Sequence, residues 1–172
     1  MTNMSNEMRE IFVTGLRNAH AMEHQALSIM EPQVSRLESY PDVAARLQSH
    51  IEETRGQVAR LETILEGLGE TSSGLKDTAL SMVGSMAAMG HSMAGDEIVK
   101  NSLANFAFEN FELAAYISLM TLAESGGYAE ARTALEQSLS EEREMADWIE
   151  SNLPAVTLRF AQLREAGVQA SH

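Results

Sequence analysis

A stripe of mainly apolar residues, spaced three or four positions apart, follows Pro41 and constrains the fold more than any other feature of the chain. This spacing places side chains on one face of an α-helix, which repeats about every 3.6 residues. Pro41 and Asp42 are typical of a first helical turn, and the glycines of the segment EGLGE predict where the helix ends. The stripe comprises Val43, Leu47, Ile51, Thr54, Val58, Leu61 and Leu65.

The segment before Pro41 predicts a first helix of the same kind. Ser5 or Asn6 can cap its start, because a short polar side chain accepts hydrogen bonds from free backbone N–H groups. Pro32 is expected to kink or end this helix, since proline lacks a backbone donor and clashes with the preceding turn. Its apolar positions are Phe12, Leu16, Ala19, Leu27 and Met30.

The second half of the chain predicts two more long helices. One runs from about Ile98 to Gly126-Gly127, and the other from Tyr128 to near Pro154, after which the tail has the pattern of a short C-terminal helix. Residues 75–93, between the second and third helices, are rich in methionine and small residues. We interpret the methionines that share one face as packing side chains rather than copper ligands: Met82, Met86, Met89 and Met93.

Length and composition favour a single all-α domain. The chain has 172 residues, 44% of them hydrophobic, with only 3 prolines, which suits one helical core. Two helical hairpins joined by a long crossover between the second and third helices are typical of ferritin-like four-helix bundles. We predict one such domain over residues 1–172, with its core bundle at about 5–153 and a C-terminal extension at 154–172.

Charge and cysteine content exclude several classes of function. Acidic residues outnumber basic ones 25 to 12, and the net charge of −13 repels phosphate backbones, so we expect no nucleic-acid partner. The chain has no cysteine for disulfides or thiolate metal sites. Because it shows neither a leader-like start nor an apolar run of membrane-spanning length, we expect a soluble, cytoplasmic protein without a membrane partner.

Acidic residues on or beside the apolar stripes are the main functional signal. Each long helix offers at least one near its middle, and burial of an ionised carboxylate without compensation is costly. Several carboxylates at one level of a bundle predict bound cations, and pairs of divalent metals are a known solution. Solvated glutamates at stripe edges remain the alternative interpretation. The candidates are Glu23, Glu53, Glu109, Glu112, Glu141 and Glu142.

Histidines supply a competing motif. His20, Glu23 and His24 match the inverted zinc-peptidase pattern His-x-x-Glu-His. That class needs a further ligand and a substrate cleft that the chain does not supply, so we expect His24 at the surface and His20 beside the bundle interior. His50 can ligate a metal, hydrogen-bond a liganding glutamate, or simply cap the core.

Three segments resemble the YciE/YciF-type ferritin-like stress proteins of bacteria: AMEHQAL, HIEETRGQVARLETILEGLG and FENFELAAYISLMTLAESGGYAEARTALEQSLSEE. The resemblance covers most of the chain and implies a ferritin-like bundle, usually a homodimer, with a dinuclear metal site of the rubrerythrin type. It points to Glu23, Glu53, Glu112 and the pair Glu141/Glu142 as ligands. Glu109-x-x-Glu112 is similar to the paired third-helix glutamates of such sites.

The chain departs from the usual ferritin-like pattern in one respect. Di-iron proteins of this fold often carry Glu-x-x-His on the second and fourth helices, but no histidine follows Glu53 or Glu142 by three residues here. A site in this chain would be rich in carboxylate oxygen, supplemented by His50, Gln57 or Glu144. Such a set of ligands favours two divalent ions of iron or manganese over zinc.

Two functions are therefore expected. The first is a protein that binds two divalent metal ions and reduces dioxygen or peroxide in stress defence, as a ferroxidase or peroxidase-like enzyme. The second is a non-enzymatic dimeric stress or structural protein with a vestigial or weak metal site. Metal content and the oxidation of added ferrous iron distinguish the two functions.

Overall fold

The computed structural model describes residues 2–70 and 95–171, with side chains from Asn6 onward. Four helices make up nearly all of this part of the chain: α1 (Thr2–Val34), α2 (Pro41–Gly67), α3 (Glu97–Gly126) and α4 (Ala129–Glu165). The two described ranges contain no strand. The prediction of an all-α bundle is confirmed.

The helices form a bundle in which α1 and α4 each pack against both α2 and α3. Near the start of α1, Arg9 donates a 2.6 Å hydrogen bond to the carbonyl oxygen of Leu68, just after α2. Near the end of α1, Gln33 donates to Asn105 in the first part of α3, at 3.3 Å. Helix α1 is therefore antiparallel to both, and the end of α2 and the start of α3 lie at opposite ends of the bundle, as in ferritin-like folds.

The predicted crossover lies outside the described residues. So does the methionine-rich face that the sequence predicts for Met82, Met86, Met89 and Met93. The connectivity around this gap is nevertheless that of two hairpins, α1–α2 and α3–α4, each closed by a short turn.

The apolar stripes of the four helices line one continuous core. Each large apolar side chain that is buried there contributes about 1.5–3 kcal/mol to folding, relative to an exposed position. Side chains with at most 2% of their surface exposed include Phe12, Leu16, Leu61, Leu135 and Met145. Polar and acidic side chains interrupt this core near its middle level, and they form the site described below.

Glycine and proline mark several helix ends as predicted. Helix α2 begins at Pro41, and α3 ends at Gly126, after which Gly127 adopts a left-handed φ of 76°. The predicted cap at Ser5 or Asn6 is wrong, because α1 already begins at Thr2. Residues 2–6 contain no glycine or proline, so no strong helix breaker stops the helix at residue 5 or 6.

The predicted break at Pro154 is also wrong, since α4 continues through Pro154 to Glu165 and no separate C-terminal helix follows within the described residues. Pro154 is solvent-exposed, and so is Glu150, whose carbonyl loses its hydrogen-bond donor and can be solvated. The apolar stripe also extends past the proline, because Val156 is buried and Phe160 and Leu163 pack on the core. Packing of these residues outweighs the cost of an interior proline.

The residues after α4 contact the α1–α2 turn and the start of α3. The Tyr40 hydroxyl donates a 2.7 Å hydrogen bond to the Ala170 carbonyl oxygen, and the Ile98 N–H donates a 2.8 Å bond to that of Ser171. These contacts tie the α1–α2 turn and the start of α3 to the chain end. In the part of the chain that is described, no helix is both long and apolar enough to cross a membrane.

Candidate metal centre

Four glutamates from three helices project into the middle of the core. Glu23 comes from α1, Glu109 and Glu112 from α3, and Glu142 from α4. Their exposed fractions are 0%, 2%, 1% and 0%, respectively. Glu109 and Glu112 are three residues apart and therefore face the same side of α3. The predicted carboxylates of α1 and α3, and one of the two predicted for α4, are thus buried at one level of the bundle.

Helix α2 contributes a histidine to this group instead of a carboxylate. His50 is 1% exposed, and its Nε2 atom lies 3.2 Å from Glu109 Oε2 and 3.7 Å from Glu142 Oε2. One ligand atom from each of these three residues lies within 4.8 Å of the other two. That spacing allows one metal ion to be bound after small side-chain shifts, because metal–ligand distances are about 2.0–2.2 Å.

Glu53, the predicted carboxylate of α2, lies at the edge of the group. Its side chain is 27% exposed, and its Oε2 atom accepts a hydrogen bond of 2.8 Å from Nδ1 of His50. Arg46 lies 3.1 Å from the same oxygen. Glu53 therefore holds the outer nitrogen of His50, and the inner nitrogen of that ring faces the buried carboxylates.

Glu141 occupies a similar outer position on α4, with its side chain 18% exposed and paired with Arg60. Gln57 is fully buried and connects the outer and inner carboxylates, since its Nε2 atom donates to Glu141 at 3.1 Å and also to Glu142. Of the other predicted supplements, Glu144 is exposed. His20 pairs with Glu62 outside this group.

Two residues outside the predicted ligand set, Tyr116 and Arg60, also contact residues of the site. The Tyr116 hydroxyl donates a 2.6 Å hydrogen bond to Oε1 of Glu23. A signal for this contact existed, because Tyr116 follows Glu112 by four residues and so shares its helical face. Arg60 follows Gln57 by three, but an arginine at a stripe edge is usually solvated, and nothing in the sequence indicated its pairing with Glu141.

Five buried carboxylate oxygens at this site accept no well-formed hydrogen bond, an unusual number for one core, and only two of them face the imidazole of His50. Buried polar atoms are nearly always hydrogen-bonded, and each that is not costs about 1–3 kcal/mol. The carboxamide oxygen of Gln57 is also buried without a partner. The five carboxylate atoms are Glu23 Oε2, Glu109 Oε2, Glu112 Oε1, Glu112 Oε2 and Glu142 Oε2.

The buried glutamates have strongly shifted pKa values. Burial raises the pKa of Glu23 to about 8, although the hydrogen bond from Tyr116 and the charge of His50 oppose the shift. Burial also raises the pKa of Glu112 and of Glu142 well above the usual range, and the charges of neighbouring carboxylates add to the shift. In the absence of a cation, burial and mutual repulsion therefore favour the protonated forms of these groups.

The surroundings of His50 favour its charged form, whereas those of the buried glutamates favour their neutral forms. Burial alone would lower the pKa of its imidazole, but the close contact with Glu109, the hydrogen bond to Glu53 and the charges of Glu109 and Glu142 raise it to about 10. For Glu53, partial burial acts to raise the pKa, but the hydrogen bonds from His50 and Arg46 outweigh this and lower it. The imidazolium of His50 is thus the main positive charge among the inner carboxylates.

The donor chemistry of this group fits divalent metal ions. Carboxylate oxygens with one imidazole nitrogen suit iron and manganese. Four ionised carboxylates would balance the charge of two divalent ions if the imidazole is neutral. The hydrogen bond from His50 Nδ1 to Glu53 matches the arrangement that usually orients a metal-binding histidine.

Comparisons with known proteins agree with this fold. A family model described as "domain of unknown function (DUF892)" matches residues 7–162. Among curated proteins, the chain is 27% identical over 147 residues to the protein YciF of Escherichia coli strain K12, covering 79% of this chain and 84% of that one.

Solved structures show the same architecture. A protein from Xanthomonas campestris is 31% identical, with a TM-score of 0.77, and the match covers 92% of this chain and 99% of that one. The E. coli stress protein YciF matches at 22% identity with a TM-score of 0.67, covering 85% and 94% of the two chains. A protein from Rhodopseudomonas palustris, YcfI, titled a putative structural protein, matches at 22% identity with a TM-score of 0.65, covering 83% and 92%.

The family match spans nearly the whole described bundle and includes every residue of the buried carboxylate group. The resemblance to YciE/YciF-type proteins that the sequence indicated is therefore confirmed. The chain therefore belongs to the DUF892 family and is similar to the stress protein YciF of E. coli.

Proposed function

We propose that this protein binds two divalent metal ions, iron or manganese, at the buried group formed by Glu23, His50, Glu109, Glu112 and Glu142. The observation that carries the proposal is the set of five buried carboxylate oxygens without a well-formed hydrogen bond, three of which have no ion-pair partner either. Metal ions would bind these oxygens and remove the cost of leaving them unpaired.

The inner residues divide into two sets by position. Glu109, Glu142 and His50 have ligand atoms close enough for one ion. Glu112 and Glu23 offer further unpaired oxygens, and the negative charge of each repels that of Glu142. We infer that they complete the second ion's ligands, with carboxylates shared between the two sets, as is usual in helical bundles.

The outer residues position the ligands. Tyr116 holds one oxygen of Glu23 and leaves the other free. Gln57 does the same for Glu142, and Glu53 fixes the ring orientation of His50 by accepting the Nδ1 proton. These hydrogen bonds predefine the direction of each ligand and reduce the cost of ordering it when an ion binds.

We further propose that the bound pair acts in stress defence, because the E. coli relative is described as a stress protein. An iron or manganese pair, when bound, supplies electrons for the reduction of dioxygen or peroxide. The protein's own contribution is to hold the ligands apart from bulk water, since the four glutamates are at most 2% exposed. Metal binding also requires His50 and the glutamates to release the protons that they hold in the metal-free chain.

Metal analysis of protein purified without chelators tests the binding proposal. We expect about two ions per chain in the wild type, and at least one fewer in Glu112→Gln, whose side chain keeps its size and loses its charge. Glu144→Gln is the matched control, because Glu144 is exposed on the same helix as Glu142. Wild-type protein with less than about one ion per two chains after incubation with ferrous iron or manganese contradicts the proposal.

The redox part is tested separately by adding ferrous iron without oxygen and then admitting air or peroxide. We expect the wild type to oxidise the iron faster than buffer, and Glu112→Gln to lose most of that acceleration. If bound iron is oxidised no faster than in buffer, the protein is a metal-binding rather than an oxidising protein. That outcome favours the non-enzymatic stress or structural role, in line with the description of the R. palustris neighbour.

The proposal includes a homodimer, and one face of α3 supports it. Three large apolar side chains on that face are about half exposed: Leu103, Phe111 and Ile117. Their spacing places them on one side of the helix, where an apolar row usually marks a contact with another protein. Light scattering should give the dimer mass for the wild type and a lower mass for Phe111→Glu, and a monomeric wild type contradicts this part.

A further inference from the structure

A second group of metal-binding side chains lies between α1 and α2, apart from the buried carboxylates. It consists of His20, His24 and Glu62, which each offer a ligand atom within 4.8 Å of the other two. His20 Nε2 is 3.1 Å from Glu62 Oε1. The rings of His20 and His24 meet edge to face, with their centroids 4.6 Å apart.

The register of α1 separates this group from the buried one. His20 and His24 are one turn apart and share a face that meets α2, whereas Glu23 points at Tyr116 of α3. Because Glu23 is 0% exposed, it cannot serve as the general base that the inverted zinc-peptidase pattern requires. The carboxylate beside the two histidines is therefore Glu62 of α2 and not Glu23 of the motif.

The donor set differs in chemistry from the oxygen-rich centre. Two imidazoles and one carboxylate are the ligands of many mononuclear zinc sites, and histidines four residues apart on a helix are a recurrent source of two of them. Imidazole nitrogen also suits copper and nickel. Three protein ligands leave the fourth tetrahedral position to water.

Exposure at the three positions allows an ion to enter and the ligands to adjust. The His20 side chain is 7% exposed and fixed within the bundle, whereas that of Glu62 is 47% exposed and His24 is at the surface. The other ring nitrogen of His20, Nδ1, is buried and has no hydrogen-bond partner. Glu62 can only accept a hydrogen bond, so in the metal-free chain it holds the His20 proton on Nε2, and the hydrogen-bonding capacity of this ring is only half used.

We propose that His20, His24 and Glu62 form a peripheral mononuclear site for a divalent transition ion, with zinc as the reference ligand. An ion bound there links α1 to α2 and stabilises that hairpin, because it binds the folded chain only. The site is independent of the buried pair, since the two groups share no residue.

Equilibrium dialysis of the metal-free full chain against Zn²⁺ tests the proposal. We expect His24→Ala and Glu62→Gln each to bind about one ion fewer per chain than the wild type, or to bind it at least ~10-fold more weakly. Glu66→Gln is the matched control, because Glu66 is exposed one turn after Glu62 on α2 and should leave binding unchanged. The same loss should occur in a Glu112→Gln background, which separates this site from the buried one.

Binding of Cu²⁺ gives a second readout. Its electron paramagnetic resonance spectrum should show nitrogen couplings from two imidazoles in the wild type and from one in His24→Ala. Both tested positions are exposed, so the variants should fold, and the circular dichroism spectrum verifies this. If His24→Ala and Glu62→Gln bind as much Zn²⁺ as the wild type, with the same affinity, and the Cu²⁺ spectrum is unchanged in His24→Ala, the proposal is overturned.

Discussion

The interaction between Glu53 and His50 decides how a metal-binding imidazole is oriented. Glu53 Oε2 accepts the hydrogen bond from His50 Nδ1 at 2.8 Å, while Nε2 of the same ring faces Glu109 and Glu142. A carboxylate in this position raises the basicity of the imidazole and fixes which nitrogen carries the proton. Glu53 is thus expected to act on the metal through His50 rather than to bind it.

Because of this arrangement, Glu53→Gln should weaken metal binding without removing a ligand. We expect the affinity for Mn²⁺ to fall about 10- to 100-fold, the usual effect of removing a group that positions a ligand, with the number of ions per chain unchanged. Titration calorimetry of the metal-free protein measures both quantities. Glu52→Gln is the control, because Glu52 is exposed and pairs with Arg55. Loss of a whole ion in Glu53→Gln contradicts this role and restores Glu53 as a ligand.

For single residues, helical periodicity predicts the buried polar side chains more accurately on α1 and α4 than on α2. Glu23 stands at a stripe position of α1, and Glu142 follows Leu135 and Leu139 on α4, so periodicity alone pointed both inward. On α2 the same periodicity also directs polar side chains inward. His50 and Gln57 are seven apart and both are buried, while Glu53 is rotated by about 100° from its buried neighbour Thr54.

Among helices, the test case is α4, which passes through Pro154 without ending. An interior proline removes one backbone hydrogen bond and costs about 3 kcal/mol relative to alanine. Pro154→Ala should therefore raise the free energy of unfolding, by roughly 1–3 kcal/mol after allowing for entropy gained by the unfolded chain. Urea denaturation of the metal-free protein measures this change.

Pro41→Ala provides the matched control. Pro41 lies in the first turn of α2, where no helical hydrogen bond needs its missing N–H. Alanine there should lower stability by a few tenths of a kcal/mol through the freer unfolded chain. If Pro154→Ala behaves like Pro41→Ala instead of stabilising, a new helix begins at Pro154 and α4 is not continuous.

The same contrast explains which helix boundaries were predictable. Pro41 and Gly127 act locally, through a preset φ in a first turn and a left-handed φ of 76° after a last one, so the sequence pattern around them is sufficient. Pro154 acts against packing that the local sequence does not reveal, namely the contacts of Val156 and Phe160 with the core. A boundary that depends on tertiary contacts is harder to predict than one that depends on backbone geometry.

For the whole molecule, the buried group makes stability depend on pH. In the folded metal-free chain, Glu23 has a pKa of about 8 in place of 4.5, so between these values the folded state holds a proton that the unfolded state has lost. His50 has a pKa of about 10 in place of 6.5 and also keeps its proton longer when folded. Because the folded state binds more protons in both cases, stability falls as pH rises.

We therefore expect the free energy of unfolding of the metal-free protein to decrease from pH 6 to pH 9, by up to about 1.4 kcal/mol per pH unit for each proton difference. The Glu23 contribution is fully present below pH 4.5 and is lost through pH 8, and that of His50 is fully present below 6.5 and is lost through pH 10. Urea denaturation at several pH values measures the slope. Glu23→Gln should lessen the slope below pH 8 and retain the part due to His50, Glu112 and Glu142, whose pKa values are also raised.

Metal ions should reverse this trend, because only deprotonated ligands bind them. The stabilisation gained by adding Mn²⁺ should grow with pH over the interval in which the metal-free chain weakens, and each binding event should release protons to the buffer. Calorimetry in buffers of different ionisation enthalpy counts those protons. Two results would contradict this prediction: a metal-free chain whose stability does not change between pH 6 and pH 9, or Mn²⁺ binding without proton release. Either result means that the inner glutamates are already ionised and that protons do not compete with metal for this group.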